Sequence, residues 1–477
     1  MFADLTGPAV AHSFTPRAGI APRTLIDPAA NAAYRSVFDA SVADVDAAAE
    51  SAQNIWDVEW RDLAPGRRSD LLFKLAGLIE QHAAEIGALD SRSMGKPIAA
   101  ARGEVLAGAR TFRYYAGAVG LPQGQVIPVA RGGFDFTLRQ PLGVAACIVP
   151  WNFPFAIACW KAAPALAAGN CVLLKPAVQS PLGALALGRL ALEAGLPKGV
   201  LQVLPGDGAD IGDALVTHSR VRKISFTGST AIGRRVMELA ARDFKRVSLE
   251  LGGKSPNIVF ADSDWEKAAD SAPGSVFDNT GQDCCARSRV LVEESIYEAF
   301  TEQFLAATAK LQPGDPADES TEMGPLVSID RRNIVEGFLT EARAAGHTIH
   351  GGSRPDGPGA FLNPAIITGV DPADRCWREE IFGPVACVRP FKDEEAMIRE
   401  VNASPYGLSG SLWTRDLNRA LRVARRIEAG VVSVNCHNSV HIEAPFGGFK
   451  HSGIGRDLGL AALEGYTELK NIYIAES

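Results

Sequence analysis

No stretch of the 477 residues approaches the roughly 18 consecutive apolar positions that a membrane-spanning helix requires. The opening residues, MFADLTGPAVAHSF, lack the charged-then-apolar pattern of a secretory segment, so a cytoplasmic protein is expected. Positive charge is not in excess: 48 Lys and Arg stand against 55 Asp and Glu, a net charge of −7. That balance argues against nucleic acid or an anionic membrane as a partner. Cysteine and histidine number eight each, and no Cys or His pair shows the spacing of a metal cluster, so no metal is expected. Most of the cysteines lie in apolar runs such as GVAACIVP and GNCVLLKP and read as small buried hydrophobes, not disulfides. Internal repeats, low-complexity tracts and long linkers are missing too, so the domains should pack closely.

What is present is an ordinary enzyme composition, 47% hydrophobic and 22% charged, in a chain long enough for two or three domains. Residues 45 to 120 carry apolar positions at three-and-four spacing and read as helical, with RSDLL as a cap signal before DLLFKLAGLIEQHAAEIGALDSRS. VIPVARGGFDFTLRQPLG alternates about a Gly-Gly turn, the pattern of a hairpin standing off the core. From residue 143, short apolar runs alternate with helical stretches: GVAACIVP, NCVLLKP, LQVLPG, KISFTGS, VSLELGG and SPNIVFAD. That alternation predicts β-α units around a parallel sheet. After 285 a second such series follows (SRVLVEES, AIITGV, PVACVRPF, GSLWT, GVVSVN), and YTELKNIYIA reads as a last strand in need of a partner.

Four segments carry chemistry. PWNFP ends a strand and precedes a helix, the position where ligands meet open α/β sheets; Asn152 could donate to an oxyanion or simply cap the helix. In FTGSTAIGRRV, Gly228, Ser229 and Gly233 allow backbone N–H groups and a helix terminus to approach a phosphate, although the spacing is not the G-x-G-x-x-G fingerprint. PGDGADIG departs from that spacing as well and reads as a plain loop. LELGGKSP sets Glu250 at a strand end beside two glycines, suited to a buried general base or to a surface turn. NTGQDCCARSR holds Cys284 and Cys285 in a polar loop, unlike the buried cysteines elsewhere. A thiol there is a few per cent thiolate at neutral pH, yet that fraction is a strong nucleophile. A bond between the two neighbours would be strained. With no adjacent histidine, a thiol hydrolase built on a Cys-His pair stays open only through the fold.

In order along the chain, PWNFP, KPAVQSP, FTGST with Gly233, LELGGKSP, NTGQDCCARSR, EEIFGPV and PFGGFKHSGIGRDLG resemble the NAD(P)-dependent aldehyde dehydrogenase superfamily from about residue 20 to 475. The resemblance implies that Cys284, second after Gln282, is the nucleophile, while Cys285 falls on a variable position. It makes Glu250 the general base and Asn152, with the Cys284 N–H, the oxyanion hole. Trp151, Lys175, Gly228, Ser229, Gly233, Glu380 and Phe382 would hold the cofactor, NAD with NADP possible. Tyr115, Ile157, Trp160 and Phe446 would line the substrate tunnel, with Asp283 and Glu443 as two carboxylates at its mouth. Two acids there suit a cationic substrate, such as an aminoaldehyde or betaine aldehyde, unless they face solvent or pair with Arg287.

The implied reaction is aldehyde oxidation to the acid through a thioester hydrolysed by water. A broad aldehyde specificity, a CoA-acylating semialdehyde dehydrogenase and a non-catalytic relative are the alternatives. Val178 replaces a Glu that many members place after KPA, which implies a relaxed preference between NAD and NADP. The implied fold is α/β: a Rossmann-like cofactor domain (1–118 and 142–252), an α/β catalytic domain (253–451) and a small β oligomerisation element (119–141 and 466–477). A homodimer or homotetramer would follow from strand edges that need partners.

Overall fold

The computed structural model describes residues 2, 5–9, 21–437 and 439–476. Two α/β sheets make up its bulk. In the first, strands Val144–Ile148, Cys171–Lys175 and Leu201–Val203 run outward on one side, and Val221–Thr227 and Arg246–Glu250 on the other. All five are parallel; a short strand, Gly453–Ile454, closes the edge antiparallel to Arg246–Glu250. Strands Val144–Ile148 and Cys171–Lys175 are buried at every position, which is why they read as unbroken apolar runs. The strand order reverses between Val144–Ile148 and Val221–Thr227, so a crevice opens past their carboxyl ends, at PWNFP and FTGST.

The second sheet has seven strands. Its order is Thr348–Gly351, Ala365–Thr368, Val385–Phe391, Arg289–Glu293, Pro256–Val259, Ser409–Trp413 and Val431–Val434. Only the edge strand Thr348–Gly351 is antiparallel. A third sheet stands apart. The tail strand Thr467–Ile474 pairs along its whole length with Phe134–Pro141, which also holds Val126–Ile127. Hairpin and tail thus answer each other's need for a partner. A two-stranded hairpin, Pro22–Asp27 with Ala32–Phe38, precedes the first helix and was not foreseen from the sequence.

Helices Val42–Ile55, Pro65–Gln81, Ala83–Met94 and Ile98–Ala118 fill the predicted helical stretch. The cap signal in RSDLL fails. The helix begins four residues earlier, at Pro65, where proline at the first turn loses no hydrogen bond, and Ser69 instead donates to the Ala116 carbonyl (2.7 Å). Among the described residues no helix is long and apolar enough to cross a membrane. All eight cysteines are free; Cys436 is exposed, Cys284 half-buried and the rest buried.

One buried amide joins three parts of the first domain. Asn170 donates to the Ala165 (3.1 Å) and Tyr466 (3.0 Å) carbonyls and accepts from the Gly143 N–H (2.9 Å). Asn170→Ala leaves the Gly143 N–H without its acceptor, while the Ala165 and Tyr466 carbonyls keep the backbone N–H groups of residue 170 and Leu142, and is expected to lower stability by about 2 kcal/mol, measurable by urea denaturation.

Candidate active site

A cavity of about 230 Å³ lies between the two large sheets, with Glu250, Cys284 and Cys285 on its wall. Two turns position these groups. Helix Trp265–Phe277 ends in three successive residues with positive φ, Asn279 (49°), Thr280 (59°) and Gly281 (68°), which swing the chain back towards the first domain. Gly281 is required: a Cβ there would sit 2.2 Å from the Gly383 carbonyl oxygen. Asn279 and Thr280 are both buried, and Asn279 Nδ2 donates to the carbonyls of Asn152 (2.9 Å) and Gln282 (3.2 Å). Gln282 returns a bond from Nε2 to the Asn279 carbonyl (3.0 Å) and accepts from the Val327 N–H (2.9 Å).

Asn152 faces this loop. Its amide donates to the Gln282 carbonyl (3.0 Å), and its own carbonyl accepts from Lys96 Nζ (2.9 Å). Lys96 is buried, pairs with Glu104 and lies 3.8 Å from the centre of the Phe153 ring. Phe153, not Asn152, precedes helix Pro154–Ala167, and no side chain caps that helix. The capping alternative for Asn152 is therefore excluded.

Glu250 ends its strand fully inside, 3% exposed, and neither carboxylate oxygen has a hydrogen-bond partner. Burial pushes its pKa well above the carboxylate range, and Asp457 adds to this; Lys161 and Arg456 offset it in part. Lys161 is itself buried between Asp457 Oδ2 (2.8 Å) and Ser225 Oγ (3.1 Å). Thr227 Oγ1, on the same cavity wall, is also buried without a partner. The Cys284 thiol is held well above its ordinary pKa by hydrogen bonding to the Cys285 thiol, then by burial and the Asp283 and Glu380 carboxylates. At neutral pH it rests as a thiol, so a base must take its proton.

Ile157, Trp160, Asp283 and Phe446 line the cavity, and the rings of Trp160 and Phe446 meet edge to face at 5.4 Å. Two expected residues do not line it. Tyr115 is fully buried and donates to the Gly459 carbonyl (2.9 Å), a core role. Glu443 is exposed and faces Tyr114. In its place the fold brings Glu104, from helix Ile98–Ala118, and Asp278, at the end of helix Trp265–Phe277. Neither carried a motif; only the helical spacing of Glu104 to Ala107, another wall residue, hinted at a shared face. Asp283 does not pair with Arg287; its Oδ1 accepts the Cys285 N–H (2.9 Å), and burial raises its pKa. No described histidine lines the cavity, which removes the partner that a Cys-His hydrolase needs. Ligand atoms of Asp283, Cys284 and Cys285 do lie within 4.8 Å of one another, a grouping made by adjacency in the chain that spacing rules do not register.

The crevice at the strand-order reversal is bordered by the groups that a dinucleotide would meet. Ser229 caps helix Thr230–Ala241. The two glycines act differently from expectation. The Gly228 N–H is taken by the Glu250 carbonyl (3.1 Å) and the Gly233 N–H by the Ser229 carbonyl (2.9 Å). A Cβ at Gly233 would lie 2.4 Å from Leu251, so this glycine serves close packing of the helix on the end of the strand. Lys175 ends its strand with its pKa lowered to about 8 by burial. Glu380 accepts the Gly253 N–H (2.9 Å), sits where a Cβ on Gly252 would be 2.3 Å from it, and is raised to about 7 by burial. Phe382, at φ 53°, meets Trp151 edge to face at 5.4 Å. These residues fit a phosphate at one end and a ribose hydroxyl at the other.

Comparison with known proteins agrees with this geometry. The aldehyde dehydrogenase family model matches residues 14–472. NADP/NAD-dependent aldehyde dehydrogenase PuuC of Escherichia coli is 43% identical over 454 residues, 94% of this chain and 92% of that one. Human retinal dehydrogenase 2 is 41% identical over 453 residues, 94% and 88% of the two chains. A crystal structure of indole-3-acetaldehyde dehydrogenase with NAD+ superposes with a TM-score of 0.97 at 40% identity, covering 99% of this chain and 97% of that one. The chain belongs to the aldehyde dehydrogenase family, oxidoreductases that act on aldehydes.

Because the folded state raises the pKa of Glu250, the native protein binds this proton at pH values where the unfolded chain has released it. Its contribution to stability is therefore present at low pH and is lost as pH rises through the folded pKa. Glu250→Gln removes that loss. The variant is expected to melt higher than the parent at pH 8 and to lose this advantage towards pH 4.5, read from melting temperatures across that range.

Proposed function

We propose that this protein oxidises an aldehyde to the carboxylic acid with NAD, accepting NADP as well, and that water is the final acceptor of the acyl group. The observation that carries this reading is the shared cavity of the Cys284 thiol with Glu250 and Thr227, whose oxygens have no protein partner. Those atoms are placed to hold a water against an acyl group on Cys284. As Cys284 Sγ adds to the aldehyde carbon, its proton passes to the Glu250 carboxylate and on to solvent, and the second Asn152 amide N–H, with the Cys284 N–H, stabilises the oxyanion, about 3 kcal/mol for each donor. The nicotinamide, when bound, supplies the hydride acceptor that turns this adduct into a thioester. Glu250 takes the proton of water, whose oxygen attacks the thioester carbonyl and releases the acid and the thiol. A carboxylate whose pKa is raised towards neutrality suits that task.

Lys175, Ser229 and the first turn of helix Thr230–Ala241 would hold the adenosine side of the cofactor, with Glu380, Phe382 and Trp151 holding the nicotinamide side. Val178, in place of an acid, leaves the 2′ position without a repelling charge. The substrate is best read as a cationic aldehyde: Asp283, Asp278 and Glu104 line the cavity among apolar walls. The division into a cofactor domain, a catalytic domain and a projecting sheet follows the sheet boundaries. An exposed apolar surface on the projecting sheet, with Val126 68%, Leu469 55% and Ile474 55% accessible, suits a second copy of the chain.

NADH formation from 4-aminobutanal and hexanal tests the reading. Cys284→Ala is expected to abolish turnover while Cys285→Ala retains it. Glu250→Gln should lower kcat by about 100-fold or more and remove the rise of kcat with pH. Asp283→Asn should reduce kcat/KM for 4-aminobutanal by about tenfold and leave hexanal within a factor of two. An unchanged aldehyde ratio would dismiss the cationic substrate, and an NAD to NADP ratio in kcat/KM above about a thousand would dismiss the relaxed cofactor preference.

A further inference from the structure

Behind the nucleophile lies a cation without a counterion. Arg287 is 1% exposed, and its side-chain bonds end on neutral oxygens: Nε on Ser411 Oγ (3.0 Å), Nη1 on Ser409 Oγ (2.9 Å) and Nη1 on the Cys285 carbonyl. It takes part in no ion pair among the described residues. Neutral acceptors compensate poorly for taking a guanidinium out of water, and an apolar side chain of similar length would fill the space without that penalty. The placement shows what the arginine does that packing cannot. The Cys285 backbone is gripped on both sides of its Cα, the N–H by Asp283 Oδ1 (2.9 Å) and the carbonyl by Arg287. Cys284 is the residue just before it.

The same cation reaches the cavity wall by a second route. Ser411 Oγ, which accepts from Arg287, also lies 3.4 Å from His437 Nδ1, and His437 Nε2 lies 3.2 Å from Ser271 Oγ. The His437 ring packs on Trp413 at 5.1 Å, and its chain leads on towards Val440 and Phe446, both on the cavity wall. Loop 283–288 and His437 are thus both held on one strand, Ser409–Trp413, the loop by the Arg287 guanidinium and His437 by the Ser411 hydroxyl that the guanidinium also binds.

We propose that Arg287 is a positioning residue, which acts through the Cys285 carbonyl and the Ser411–His437 contact to hold the nucleophile and the facing cavity wall in one arrangement. The proposal rests on Cys284 being the nucleophile. The planar fork of Arg287 is the necessary feature, because Nε and Nη1 grip Ser411 and Ser409 of one strand side by side while Nη1 also holds the Cys285 carbonyl, a geometry that a single ammonium does not offer.

The test uses the full chain with Arg287→Ala, Arg287→Lys and Cys284→Ala, hexanal as substrate, and melting temperature recorded for each. Arg287→Ala is expected to lower kcat about tenfold or more, and to slow iodoacetamide alkylation of Cys284 in parallel. Guanidinium at about 20 mM, far below denaturing levels, should restore activity several-fold, and methylammonium should not, since only the fork spans both acceptors. Arg287→Lys should resemble the alanine variant. Full activity in Arg287→Ala would overturn the proposal. So would a loss that guanidinium leaves untouched, or that tracks the fraction of protein unfolded. Turnover surviving Cys284→Ala would instead overturn the nucleophile assignment, and this proposal with it.

Discussion

The active site depends on a knot of buried amides. Asn152 comes from the end of a strand in the first sheet, Asn279 and Gln282 from the end of a helix that packs on the second. Each satisfies a carbonyl of another, and Lys96 closes the group from a third element. Two non-glycine residues in the left-handed region are unfavourable, by about 1–2 kcal/mol each. In an isolated peptide the turn at Asn279 and Thr280 would relax. Here buried hydrogen bonds over-determine it, since releasing any one leaves a polar group unsatisfied away from water. The nucleophile and the proposed oxyanion donor are therefore fixed relative to each other by the backbone, before any ligand arrives.

That rigidity sets the electrostatics. Glu250, Asp457, Asp283, Asp278 and Glu104 crowd one small cavity, with Lys96 paired to Glu104 and Lys161 to Asp457. Burial raises the pKa of Glu250, and the neighbouring Asp457 carboxylate adds to the effect. The same crowding keeps the Cys284 proton on. Both groups hold a proton more tightly than they would in water, so Glu250 acts as the base once ionised, taking the proton that leaves the thiol and later the water. Gly253 makes the approach possible: a Cβ there would lie 2.3 Å from the Cys284 carbonyl oxygen.

Much of this was legible because strand ends leave a signature. PWNFP, FTGST and LELGG each follow a run of buried β-residues, and the rule that ligands meet the carboxyl ends of parallel strands put Asn152, Ser229 and Glu250 in the right region. Glycines were less transparent. Gly233 has the same letter whether it clears a phosphate or Leu251, and only packing tells the two apart. Helical residues were least legible. Glu104 and Tyr115 sit on one helix eleven positions apart, yet the first faces the cavity and the second the core, and the helix's tilt towards a loop 170 residues later has no local trace. The early hairpin Pro22–Asp27 with Ala32–Phe38 was missed for a similar reason: its strands are largely half-exposed and lack a continuous apolar run.

The acids of the cavity are not equivalent, and that bears on what it selects. Glu104 is already neutralised by Lys96, which in turn is committed to the Asn152 carbonyl. A cation that displaced Lys96 from Glu104 would disturb the amide knot, so Glu104 is a poor partner for substrate. Asp283 is bound through one oxygen to the Cys285 N–H, and this bond offsets in part the effect of its burial. That bond aims the carboxyl group of Asp283 and favours its ionised form against the effect of burial. Asp278 lends its Oδ1 to the Asn279 N–H in the same way (2.9 Å). The negative field of the cavity therefore comes from two carboxylates fixed by the very backbone that positions the nucleophile. Around them, Ile157, Trp160 and Phe446 offer a neutral chain the same apolar contact as a charged one. On the proposed reading, such a site would rank aldehydes by charge without closing itself to those that carry none.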